Sequence, residues 1–126
     1  MPKQPIPPDA KKVFKGIIFD VYQWEQQLFD GTTATFEKLK RDDNAIVIPV
    51  TSDKKIITLE QEQPARLPFL SFPGGKVEDG EDPAAGAKRE LREETGYTPQ
   101  KLSLWYASQP VCKIDWAVSV NSSKLG

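Results

Sequence analysis

Residues 74–97 read GGKVEDGEDPAAGAKRELREETGY, and this stretch decides the fold. Asp82 suits an N-cap, Pro83 suits the first helical position, and Gly96 suits the residue just past the C-terminus. Ala84, Ala87 and Leu91 give an apolar stripe at helical spacing, which predicts a helix between those signals. Glu90, Glu93 and Glu94 occupy its last turn and a half, and separations of three and four place them on one face. Each like-charge neighbour costs a few tenths of a kcal/mol, and the negative end of the helix dipole adds up to about 1 kcal/mol per group. A divalent cation among the three carboxylates reverses the sign of each of these terms. Acidic pairs on helices are ordinarily solvated faces. Here the acids gather at the end that disfavours them, and such violations of local preference mark functional sites.

The composition limits the chemistry further. The 126 residues suit one domain with a real core, and 38% hydrophobic with 28% charged residues describe an ordinary globular protein. Seventeen Lys and Arg against eighteen Asp and Glu leave no basic excess for nucleic acid and no simple electrostatic case for an anionic membrane. Histidine is absent, which removes a His base, a Ser-His-Asp triad and His-ligated zinc. Carboxylate and backbone oxygens are the remaining ligands, and hard oxygen favours Mg²⁺, Mn²⁺ or Ca²⁺. The lone Cys112 has no intrachain partner, and no apolar run of membrane-spanning length or signal-peptide type is present; a cytoplasmic setting is expected.

Around the helix the pattern is β-rich. Residues 1–10 hold four prolines and read as an extended arm. Branched and aromatic residues from Val13 to Trp24 read as one strand, and Asp30-Gly31 turns it back into Thr32 to Leu39. Ala45 to Val50 and Ile56 to Leu59 read as a second, more buried hairpin. Pro64 and Pro68 make Gln61 to Leu70 a loop, Lys101 to Ala107 and Lys113 to Val120 read as strands, and Asn121 to Gly126 reads as a polar tail. The aromatics Trp24, Phe36 and Trp105 read first as core, although each has a face that suits an adenine.

Gly75, five residues, Glu81, seven residues, then Arg89-Glu90-Leu91-Arg92-Glu93-Glu94-Thr95-Gly96 resembles the Nudix box at every fixed position. A chance match in a chain this size is on the order of one in ten million from average residue frequencies. Only Tyr97 departs, standing where the family usually has an aliphatic residue. The resemblance implies an α/β (α+β) fold: a Nudix-type α/β/α sandwich with a mixed sheet, plus an N-terminal antiparallel β segment. It divides residues 11–126, a single domain, into that segment at about 11–42 and a core at about 43–120. Family members continue into a further acidic loop and closing helix, so a truncated C-terminus belongs to the expectation.

The same resemblance implies metal ligands at Glu90, Glu93, Glu94 and the Gly74 carbonyl, with Mg²⁺ as cofactor and Mn²⁺ as substitute. It pairs Arg89 with Glu81 as a support, and makes Glu93 the general base available within the box. Glu90, Glu93, Glu94 and Arg89 thus form the candidate catalytic group. Gly75 lets the backbone approach a diphosphate closely. Before the box, Leu59-Glu60-Gln61-Glu62-Gln63-Pro64-Ala65-Arg66 resembles the Glu-Gln-x-Arg segment of the ADP-ribose pyrophosphatase branch, which makes Arg66 a candidate phosphate contact; a solvated loop arginine is the plainer reading. The implied reaction is metal-dependent hydrolysis of ADP-ribose or a related nucleoside diphosphate sugar to AMP (NMP) and a sugar phosphate. Its rivals are another Nudix specificity, for nucleoside triphosphates or dinucleoside polyphosphates, and an inactive nucleotide-binding module. The branch also implies a homodimer built through the N-terminal β segment.

Overall fold

The first strands of the chain, β1 (Lys11–Lys15), β2 (Asp20–Gln27) and β3 (Thr33–Lys40), form an antiparallel meander. Two strands stand where one was expected between Val13 and Trp24. A turn closed by the Gly16 N–H on the Phe19 carbonyl, 2.8 Å, divides that run. Any Cβ at Gly16 collides with the Phe19 carbonyl, so the break is written in the glycine. The β2–β3 turn follows the Asp-Gly signal: Gly31 adopts φ 85°, and the Asp30 carboxylate accepts from the Thr32 N–H (3.0 Å) and hydroxyl (2.6 Å). The structure, a computed structural model, describes residues 6–125; the first half of the expected arm lies outside that range. Within 6–10, the Ala10 N–H closes a turn on the Pro7 carbonyl.

β4 (Asn44–Val50), β5 (Leu59–Gln63), β6 (Arg66–Ser71), β7 (Gly74–Lys76), α1 (Pro83–Thr95) and β8 (Pro99–Ser108) follow, then β9 (Ile114–Asp115) and β10 (Val118–Leu125). By contacts the chain divides into two compact units, Met1–Asp42 with Ser108–Ala117 and Asp43–Ala107 with Val118–Gly126. In the first, β9 adds in parallel to β3, and the order is β1-β2-β3-β9. Trp24 and Phe36, opposite each other in the β2–β3 register, pack edge to face at 6.1 Å. The Arg41 guanidinium lies 4.6 Å from the Trp116 ring centroid and 5.5 Å from that of Phe19.

The second unit carries a mixed sheet of order β7-β4-β10-β8, in which β4 runs parallel to β10 and antiparallel to β7. The helix α1 covers one face, resting on β4, β7 and β10. Between them Ala45, Val47, Val77, Ala87, Leu91 and Leu125 form the core, with Ile57 and Leu102 against it. Leu91 is fully buried, which contributes about 1.5–3 kcal/mol relative to an exposed leucine. Ala84 is exposed, so the buried stripe of α1 is Gly86, Ala87 and Leu91. This is the only helix among the described residues, and the second helical layer of an α/β/α sandwich is not among them.

Four expectations need correction. Ile56 to Leu59 does not form a hairpin with β4; a single bridge, Val50 with Ile56, replaces it, because β4 uses its edges on β7 and β10. The expected loop from Gln61 to Leu70 is mostly the β5–β6 hairpin, a two-stranded sheet whose open edges tolerate Pro68. Asn121 to Leu125 is no tail: it completes β10, paired with β4 from Val118↔Asn44 to Lys124↔Val50. Trp105 is also no core residue, being largely exposed on the edge strand β8.

At the β5–β6 turn Ala65 adopts φ 61°, a conformation that a Cβ disfavours. Ala65→Gly is therefore expected to stabilise the protein by about 0.5–1 kcal/mol, read by urea unfolding. A loss of stability contradicts the assigned turn.

Candidate active site

The site is built where β7 passes under the C-terminal half of α1. In the β4–β7 ladder Ile46 stands opposite Gly74 and Ala45 opposite Gly75. The backbone requires a glycine at 74, whereas at 75 a side chain would displace the Glu90 carboxyl. A Cβ on Gly74 falls 2.5 Å from the Ala45 carbonyl oxygen and 3.0 Å from Ile46 Cα. A Cβ on Gly75 falls 2.5–2.8 Å from the carboxyl atoms of Glu90. The first clash is with backbone, the second with a functional side chain.

The helix is aimed by its ends. Asp82 occupies the N-cap position in extended conformation, but its side chain makes no capping bond; Pro83 and the Gly86 N–H on the Asp82 carbonyl (2.9 Å) start the turn. Gly96 closes it at φ 79°, its N–H on the Arg92 carbonyl at 2.9 Å. The Thr95 hydroxyl donates to the Leu91 carbonyl at 2.6 Å and accepts from the Tyr97 N–H at 3.1 Å. Burial of Ala87 and Leu91 then leaves Arg89, Glu90, Glu93 and Glu94 along the flank that faces β7 and the preceding loop.

Arg89 organises that flank. Its Nε and Nη2 donate to the two Glu81 oxygens at 2.9 and 3.0 Å, a bidentate pair. Nη2 also reaches the Lys76 carbonyl at 3.0 Å, and Nη1 reaches Glu90 at 3.0 Å and Glu93 at 3.3 Å. Lys76 as a backbone acceptor is invisible in a sequence, where every residue carries the same carbonyl. The Arg89 guanidinium holds the Glu81 carboxyl at about 2, with the Glu78 N–H helping. Arg89 itself is held more firmly protonated than usual, chiefly by Glu81.

The three box glutamates are not equivalent. Glu90 is 16% exposed and abuts Gly75, whereas Glu93 is 58% exposed and turned to Arg89. Glu94 accepts from the Gly74 N–H at 3.1 Å. Burial raises the Glu94 pKa above the usual carboxylate value, against that N–H, and the charges of Glu90 and Glu93 add to the rise. Thus Glu90 and Glu94 already share a crowded negative edge beside the glycine pair. Among the described residues no group of three or more His, Cys, Asp or Glu side chains is placed to hold a metal ion, and Glu90 and Glu93 are both paired with Arg89. The donor chemistry still fits a hard cation: two partly buried carboxylates, Glu90 and Glu94, repel each other beside the Gly74-Gly75 end of β7.

Gly74, Gly75, Arg89, Glu90, Glu93 and Glu94 therefore come together, and Arg66 does not join them. Its guanidinium sits 3.8 Å from the Phe69 ring centroid at the exposed β5–β6 hairpin.

Because Glu81 is ordinarily near 4.5 and falls to about 2 when folded, its ion pair stabilises the fold fully above the ordinary value. That contribution disappears as pH falls through about 2. The gap in thermal midpoint between wild type and Glu81→Gln, positive at neutral pH, should close over this acid range. A gap independent of pH contradicts the pairing.

Comparison with known proteins agrees with this geometry. The NUDIX domain pattern matches residues 40–116, more than half of the chain. An ADP-ribose pyrophosphatase of Bacillus subtilis (strain 168) is 37% identical over 94 residues, covering 74% of this chain and 51% of the relative. A methanol dehydrogenase activator of Bacillus methanolicus is 33% identical over 100 residues, covering 79% and 54%. The chain thus spans about half the length of these curated relatives. Among solved structures, an ADP compounds hydrolase superposes with a TM-score of 0.76 at 18% identity, over 94% of this chain and 66% of that one. A box complete at its fixed positions, a helix whose acids meet a glycine pair, and a family pattern across the core lead to one assignment: the chain belongs to the Nudix family.

Proposed function

We propose that the chain works as a Nudix pyrophosphohydrolase on ADP-ribose or a related nucleoside diphosphate sugar, releasing AMP (NMP) and a sugar phosphate. The observation that carries this reading is the pair Glu90 and Glu94 set against Gly74-Gly75, with Arg89 locking the helix flank from behind. Glu90, Glu94 and the Gly74 carbonyl would hold Mg²⁺, or Mn²⁺ in its place, and Glu93 would join on release from Arg89. A bound divalent cation neutralises diphosphate charge and makes water a better nucleophile. The chain's own part is positional and acid–base. Gly75 leaves room for the Glu90 carboxyl to lie close to the β7 backbone. Glu93, the most exposed of the three, is the base that takes the proton as a water oxygen bonds to phosphorus and the bridging P–O bond breaks. Arg66, exposed beside Phe69, is a candidate contact for the distal phosphate.

The ADP-ribose preference rests on the names of relatives, an ADP-ribose pyrophosphatase and an ADP compounds hydrolase. The test is a substrate panel with Mg²⁺, including ADP-ribose, nucleoside triphosphates and dinucleoside polyphosphates, on wild type and Glu94→Gln. ADP-ribose should be the best substrate, and the variant should lose about two to three orders of magnitude in turnover while keeping its fold. Faster turnover of triphosphates overturns the specificity, and unchanged activity in Glu94→Gln removes that residue from the metal site. A second reading is a nucleotide-binding module without turnover, in which the Glu93 carboxyl stays paired with Arg89. Nucleotide binding with no turnover of any substrate would select it.

A cytoplasmic setting fits the exposed free thiol of Cys112, and among the described residues no helix is long and apolar enough to cross a membrane. The β1–β2 tip, where Phe14, Ile17 and Ile18 are exposed, is the proposed contact of a homodimer. Ile17→Asp should convert a dimer to monomer in sedimentation equilibrium; a wild type that is monomeric at tens of micromolar contradicts the dimer, on the scale of stable interfaces.

A further inference from the structure

The inward face of β10 is polar where the rest of the core is aliphatic. Ser119, Asn121 and Ser123 are 8%, 2% and 3% exposed. They stand in register with Ala45, Val47 and Pro49 of β4, on the side of the sheet that α1 covers. Buried polar groups are costly unless hydrogen-bonded. The Ser119 and Ser123 hydroxyls have no partner among the described residues, so stability does not explain the stripe. Asn121 differs from its neighbours: its Nδ2 donates to the Ile46 carbonyl at 3.3 Å.

That carbonyl belongs to the residue backed against the candidate site. Ile46 stands opposite Gly74, and its Cα lies 3.0 Å from where a Gly74 Cβ would be. Gly74 in turn gives its N–H to Glu94. Contact runs from Asn121 through Ile46 and Gly74 to Glu94, without a gap. We infer that Asn121 is a positioning residue: its buried amide fixes β4 at Ile46, and so fixes the Gly74 N–H on Glu94. An apolar side chain at 121 suits the core but removes the side-chain bond to the Ile46 carbonyl, leaving Ile46 held by the backbone ladders alone. The inference rests on the reading of Glu90 and Glu94 as a cation site given above.

The test uses the full chain with Asn121→Leu, which keeps the volume and removes the donor. Hydrogen exchange at the Gly74 amide in metal-free protein should accelerate about five- to tenfold relative to the Leu91 amide, the scale of one hydrogen bond. The thermal midpoint should hold or rise. Mn²⁺ affinity read by electron paramagnetic resonance should weaken by a similar factor, and kcat should fall with KM nearly unchanged. Asn121→Ser, too short to reach Ile46, gives the same comparison if the leucine variant does not fold. Wild-type exchange at Gly74 in a folded variant overturns the inference. The exchange measurement needs neither metal nor substrate, so a wild type that binds no Mn²⁺ and turns over nothing overturns the site reading instead.

Discussion

Arg89 divides one rigid fork of donors among the Glu81 carboxylate, the Glu90 and Glu93 carboxylates and the Lys76 carbonyl. Those partners lie on the loop before α1, on the helix itself and on β7. A single planar cation therefore fixes the rotation of α1 against the strand beneath it, a task for which the point charge of a lysine is poorly shaped. It also offsets repulsion at a helix end where anions are disfavoured. What remains uncompensated lies at Glu94, whose pKa is raised by burial and by its acidic neighbours. The residual negative edge is narrow, next to Gly74 and Gly75, and every other acid of the flank is already engaged.

The helix and the shared flank of its glutamates were legible in the sequence because their determinants are local. Pro83 and Gly96 mark its ends, and the spacing of the glutamates needs only the helical repeat. The Glu81–Arg89 pair was legible through the resemblance, being eight residues apart in one motif. Gly74-Gly75 carries no strand signal of its own, yet it opens the short strand β7, because its pairing with Ala45 and Ile46 is nonlocal. The same blindness hid the second half of β10, from Asn121 to Leu125. Its polar residues carry no alternating apolar pattern, and its partner β4 lies some 75 positions earlier, as the Asn121–Ile46 bond shows. Pro68 misled for a different reason: it sits in an isolated hairpin, where a missing donor can face outward.

The contrast between Glu90 and Glu93 also lies beyond spacing arguments. A wheel of 3.6 residues puts them on one face, yet Glu90 is sheltered against Gly75 while Glu93 stands out in solvent. The difference comes from what lies under the helix, not from the helix. Arg66 also depends on its surroundings: its segment resembles a phosphate-contacting stretch, and the β5–β6 hairpin sets its guanidinium over the Phe69 ring.

The close fit of Gly75 beneath Glu90 ties the histories of two positions fifteen residues apart in sequence. Any side chain at 75 occupies the volume now filled by the Glu90 carboxyl. A methyl group there can be accommodated only if position 90 shortens or swings outward, and either change moves the acid that borders the glycine pair. Sterically, position 90 can shorten alone, whereas position 75 cannot gain a side chain unless position 90 moves. In laboratory evolution, therefore, alanine at 75 should recur together with a shorter residue at 90, a paired exchange that size alone predicts.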